Sequence, residues 1–85
     1  MDNQKTISPK EQIITHFPDY KAEIKSLYFN ENESFKELVN DFLFCERKLK
    51  RLQGSTKTKL ASQYAVTLRE LRDELLGYLK KQKQL

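Results

Sequence analysis

The sequence predicts an all-α fold: a long antiparallel helical hairpin covered by one or two N-terminal helices in a three-helix arrangement. Three observations carry this. Phe35, Leu38, Phe42, Cys45, Leu49 and Leu52 recur at alternating steps of three and four residues. Ala61, Tyr64, Leu68, Leu71, Leu75 and Tyr78 repeat the rhythm after a Gly54-Ser55-Thr56 break. Such spacing puts each set on one stripe of an α-helix, and two stripes joined by a short turn bury one another. Ile13, Phe17, Tyr20, Ile24 and Leu27 form a third apolar face before the hairpin.

The elements follow in order. Residues 1–7 are polar and expected to be disordered. Ser8-Pro9-Lys10-Glu11 reads as a helix start: a serine cap, a proline at the first helical position and a glutamate that can reach back. Pro18 interrupts the helix, because it lacks an N–H and its ring clashes with the carbonyl four residues earlier. Thr15 or Phe17 opens a second stretch running to about Phe29, so residues 8–29 form either one kinked helix or two short ones. Asn30-Glu31-Asn32-Glu33-Ser34 is the next break, with Asn32 or Ser34 as cap and Ser34-Phe35-Lys36-Glu37 as a capping box. The hairpin helices are expected over residues 33–53 and 57–81. Gly54 ends the first, and Ser55, Thr56 or Thr58 caps the second.

A turn centred between Thr56 and Lys57 makes facing residue numbers add to 113. Phe35 then faces Tyr78, Leu38 faces Leu75, Phe42 faces Leu71, Cys45 faces Leu68, Leu49 faces Tyr64 and Leu52 faces Ala61, with Asp41 beside Arg72 on the flank. Val39 and Leu43 lie on a neighbouring stripe, as do Leu76 and Leu79 on the other helix. Phe44 lies roughly opposite the seam at about 100° per residue. Gly77 sits inside a helix at a cost of about 1 kcal/mol relative to alanine, which suggests that the N-terminal segment approaches closely there.

A chain of 85 residues makes one small domain, whose core alone supplies little net stability. One cysteine forms no internal disulfide and one histidine builds no metal site, so idealised helix packing or self-association is the expected source of stability. The single thiol and the lack of a secretory signal fit a reducing cytoplasm. No apolar run approaches the roughly 18 residues that span a bilayer, so a soluble protein is expected.

No catalytic, cofactor-binding or metal constellation is found. There is no glycine-rich phosphate loop, paired-carboxylate arrangement or nucleophile motif, and an enzyme is not expected. His16, beside Pro18 and Asp19, reads as a capping or packing residue, and Cys45 as a buried thiol on the seam. The tyrosines Tyr20, Tyr28, Tyr64 and Tyr78 fall at helical spacing as core-rim residues.

The formal charge is +4, and it is concentrated in the middle of the chain. Arg47, Lys48, Lys50, Arg51, Lys57 and Lys59 gather at the turn end of the hairpin, with Glu46 the only acid near them. Cations late in the first hairpin helix offset its dipole, but Lys57 and Lys59 begin the second, where positive charge is mildly unfavourable. The tip is therefore a candidate anion-binding surface for an acidic protein or a polyanion. Against nucleic acid, the cluster holds no interleaved aromatic for base stacking. Val39, Leu43 and Phe44 form the candidate protein interface.

The pattern His16-Phe17-Pro18-Asp19-Tyr20, then Ile24, Leu27, Asn30, Asn32, Phe35 and Leu38, continues with Leu68, Leu71-Arg72-Asp73-Glu74-Leu75 and Leu79. Over about residues 16–80 it resembles the YdcH-like family of very short, uncharacterised bacterial helical-hairpin proteins. The resemblance implies the hairpin fold and a bacterial cytoplasmic setting, and it lends no catalytic or ligand-binding residues. The N-terminal extension, Cys45 and the basic turn depart from the family. The sequence thus points to a small protein–protein interaction module, self-associating, with a nucleic-acid-associated protein acting through the basic tip as the alternative. No cofactor, membrane or small-molecule substrate is expected.

Overall fold

A computed structural model describes residues 7–52 and 58–84. Helix α1 spans Pro9–His16, a 3₁₀ turn spans Pro18–Tyr20, α2 spans Lys21–Phe29, α3 spans Glu33–Leu52 and α4 spans Thr58–Lys83. The expected disorder of residues 1–6, the turn with Gly54, Ser55 and Thr56, and Lys57 lie outside the described residues. So does the side chain of Thr58.

The helix boundaries follow local chemistry. Ser8 accepts a hydrogen bond from the Glu11 amide at 3.3 Å, and Pro9 begins α1. The helix stops at His16 because Phe17, preceding a proline, is driven out of the helical region to φ −133°, ψ 65°. The N-terminal segment is therefore two short helices joined at Pro18. Helix α2 closes with paired capping bonds: the Asn32 amide donates to Leu27 O at 3.1 Å and the Glu31 amide to Tyr28 O at 3.1 Å. This arrangement places Glu31 in the left-handed region at φ 55°, a position that glycine fills most cheaply. Asn32 then turns its side chain the other way, its Oδ1 accepting from the Phe35 amide at 3.0 Å to cap α3. One residue thus ends α2 and starts α3.

Helices α3 and α4 pack against each other as the long antiparallel hairpin. The Phe35 and Tyr78 rings meet at 5.8 Å between centroids, as the 113 register requires. Tyr28 meets the same Phe35 ring edge-on at 5.8 Å, so Phe35 joins α2 and α4 to α3. Helix α1 packs on α3, and α2 packs against both hairpin helices. Ile13, Ile24, Phe35, Val39, Leu75 and Leu79 are fully buried between these layers.

The far end of α4 is tied down. Gln82 Nε2 donates to Ser26 Oγ at 3.0 Å, and Lys83 Nζ lies 5.3 Å from the Tyr20 ring centre. These contacts carry the helix to Lys83, slightly beyond the expected end. Arg72, on the flank of the hairpin, places its guanidinium 5.9 Å from the Phe17 ring centre. One finer expectation is corrected. Gly77 makes no close approach to the N-terminal layer: a methyl group there would meet nothing within 4 Å.

Stability measurements separate these local effects. Gly77→Ala should raise the unfolding free energy in urea by about 0.5–1 kcal/mol, since the added methyl meets open space and the helix gains propensity. Asn32→Ala should lower it by about 1 kcal/mol through loss of the cap, while Ser34→Ala should leave it nearly unchanged. Equal losses at Asn32 and Ser34 would assign the cap wrongly.

Candidate interaction surfaces

Where the N-terminal layer stops decides which side chains remain available. His16 and Phe17, at its end, reach Phe42 on α3: His16 stands edge-on to that ring at 5.1 Å and Phe17 tilts against it at 6.2 Å. His16 Nε2 also lies 2.9 Å from Glu46 Oε2. Past this point none of the described N-terminal helices covers the hairpin. Its seam residues Leu49, Leu52, Ala61, Tyr64 and Leu68 are half-buried, whereas Phe35, Phe42, Cys45 and Leu75 are buried.

The uncovered stretch is a groove of about 490 Å³. Phe42, Leu49, Ala65 and Leu68 line it with apolar surface, the His16–Glu46 contact and Phe17 close its inner end, and Arg69 and Arg72 stand along the α4 side. Arg69 is exposed. The His16–Glu46 contact spans thirty positions, and nothing in the local pattern around either residue announces it. It pins the N-terminal layer to α3 and engages Glu46 at the inner end of the groove.

The candidate interface of Val39, Leu43 and Phe44 is corrected by burial. Val39 is 0% and Leu43 3% exposed, because the stripe beside the seam is the one that the N-terminal layer covers. They belong to the core. Phe44 stays outside at 47% exposure. Lys48 Nζ lies 5.4 Å from its ring centre, and Arg47 and Arg51 share the same shallow surface. The structure thus brings Phe44 into the basic cluster and gives that cluster an aromatic ring. At about 100° per residue, Phe44, Arg47, Lys48 and Arg51 lie within 60° of one another's common axis on the face of α3 away from the groove. Lys50 points to the side, Lys59 is exposed on α4, and Lys57 is outside the described residues.

Another exposed aromatic escaped sequence reasoning. Phe29, the last residue of α2, is 86% exposed. Its position off the Ile24–Leu27–Tyr28 face was the available signal.

The chemistry of these surfaces is that of contact. Cys45 is buried; burial pushes its thiol above the ordinary value, and the Asp41 carboxylate adds to the shift. Such a thiol is a poor nucleophile. Among the described residues no three His, Cys, Asp or Glu side chains converge to hold a metal ion, and no helix is long and apolar enough to cross a membrane. Comparison with protein-family models, curated proteins and solved structures yields no match, so nothing there bears on the family resemblance of residues 16–80.

The buried acids leave a pH signature. Burial also raises the Tyr28 hydroxyl. As pH climbs past the ordinary values of 9.0 for the thiol and 10.0 for the phenol, the unfolded chain loses protons that the folded chain keeps. Stability therefore falls through that range. Thermal midpoints measured from roughly pH 8 to 11 should decline, and Cys45→Ala should flatten the lower part of the decline. An unaltered slope would mean that the thiol ionises alike in both states.

Proposed function

We propose that this chain is a protein-interaction module that acts by binding, and that its open distal groove accepts an acidic amphipathic segment of a partner protein. One observation carries this reading: the hairpin seam, roofed by the N-terminal layer as far as Phe42, continues uncovered beyond it in a cationic setting. Leu49, Ala65 and Leu68 offer apolar surface there. Arg69 and Arg72 line its α4 side, and the described residues from 46 to 72 hold seven cations against Glu46 and Glu70, with Arg47, Lys48 and Arg51 on the far face of α3.

A two-helix groove takes a third helix through residues spaced i, i+3, i+4 and i+7, the usual way an amphipathic segment buries its apolar face. Charge then selects the partner. A basic segment is repelled by Arg69 and Arg72 along the α4 rim, while an acidic one is steered in and held there. The likeness of residues 16–80 to YdcH-like hairpins and the lone buried thiol support a bacterial cytoplasm as the setting.

Phe44 among Arg47, Lys48 and Arg51 supports a second reading, in which the tip holds a single-stranded nucleic acid by phosphate contacts and one stacked base.

Fluorescence anisotropy with a labelled acidic amphipathic peptide separates the two. The peptide should bind the full chain, its basic counterpart should not, and amide shifts should appear at Ala65, Leu68 and Arg69. Lys50→Glu combined with Arg69→Glu should weaken binding by about tenfold, equivalent to about 1.4 kcal/mol. Failure of the acidic peptide to bind sinks the groove proposal. Binding of an oligonucleotide instead, lost steeply with salt and with Phe44→Ala, would establish the second reading.

A further inference from the structure

We propose that two copies of the chain pair antiparallel through the outer face of α3, about a two-fold axis passing beside Phe44. This surface lies on the other side of α3 from the groove, and the inference stands whether or not an acidic partner binds there.

The outward face of α3 carries Glu37, Asn40, Asp41, Phe44, Arg47, Lys48 and Arg51, all within about 60° of Phe44 at 100° per residue. All are exposed except Lys48, which leans over the Phe44 ring. Their charges invert about Phe44. Acids stand three and seven residues before it, at Asp41 and Glu37; cations stand three and seven after it, at Arg47 and Arg51. Asn40 and Lys48 occupy the matching positions four residues to either side.

A two-fold axis at Phe44 reverses each residue's position along the helix and keeps it on its own flank. Asp41 of one copy then meets Lys48 of the other on one flank, Asn40 meets Arg47 on the other, and Glu37 meets Arg51 near the centre line. Symmetry makes every contact twice, as an isologous interface requires. The two phenylalanines meet at the centre, where pairing replaces the water now covering a ring that is 47% exposed. Parallel pairing would set acid on acid and cation on cation, and it would also align the helix dipoles unfavourably. The antiparallel register is the one that the charges select.

The face is held ready for this contact. Phe35, Val39, Phe42, Leu43 and Cys45 bury the inner side of the same helix, so little backbone ordering is left for association. A single helix pair buries less than the roughly 1,200 Å² of a standard interface, so the dimer is weak and concentration-dependent.

Sedimentation velocity of the full chain, from about 10 μM to 1 mM, should show monomer passing to dimer with added salt reducing the dimer. Arg47→Asp, Lys48→Glu and Arg51→Glu together make the face wholly acidic, and Glu37→Arg with Asp41→Arg makes it wholly basic. Each of these variants alone should stay monomeric, and an equimolar mixture should form a heterodimer at least as tight as the parent dimer. Phe44→Asp should remain monomeric. A parent chain that is monomeric throughout overturns the proposal, as does a parent dimer that the charge variants leave intact. Should the variants fail to fold, concentration-dependent amide shifts in the parent chain decide it: confinement to residues 37–51 supports the pairing, and shifts elsewhere overturn it. Movement of those amides only on adding an oligonucleotide would assign the face to a polyanion.

Discussion

Helix α3 is buried on two adjacent stripes at once, and the rest of the molecule is arranged around that constraint. Phe35, Phe42 and Cys45 face the hairpin seam, while Val39 and Leu43, one step round the helix, face the N-terminal layer. Neither α4 nor the N-terminal layer satisfies α3 alone. A two-helix hairpin would leave Val39 and Leu43 in water, a loss of about 1.5–3 kcal/mol for each side chain by transfer estimates. The N-terminal helices are thus part of the core rather than an appendage.

The length of that layer is set by a different rule. Pro18 cannot continue α1, so the chain turns back through Pro18–Tyr20 and spends its remaining apolar residues in α2 near the opposite end of the hairpin. Ile24 and Leu27 go there, beside Leu79, and Gln82 ties the end of α4 to Ser26. Among the described residues, this segment reaches no further toward the tip than His16 and Phe17. The groove is a direct result: two hairpin helices outrun the layer that roofs them, and a proline decides where the roof ends.

Helix identity, the hairpin and its register were legible because they rest on periodicity, and the Phe35–Tyr78 contact falls where heptad arithmetic puts it. The Ser8 cap and the break at Pro18 were legible as local stereochemistry. What escaped depends on pairs distant in sequence. Val39 and Leu43 looked like spare surface because periodicity shows which residues share a stripe, not how far a neighbouring layer covers it. His16 and Glu46 carry no mutual signal across thirty positions. Arg72 meets the ring of Phe17, a contact that turns on the path of the chain after α1. Glu31 adopts a conformation that favours glycine because the capping bonds of α2 and the start of α3 at Asn32 jointly require it.

The two surfaces differ in a way that bears on how they would act together. The groove carries Arg69 and Arg72 along its α4 side, with Glu46 engaged by His16 at its inner end. The outer face of α3 runs from acid to base along the helix, a gradient that the helix dipole itself favours, and so it is self-complementary when reversed. Because the surfaces lie on opposite sides of α3, pairing through Phe44 would leave both grooves of a dimer facing outward and unobstructed. A partner carrying two acidic segments would then meet a bivalent receptor, whose second contact forms at an effective concentration set by the spacing between segments. Weak self-association through one face would in this way strengthen binding at the other without any change in the shape of the groove.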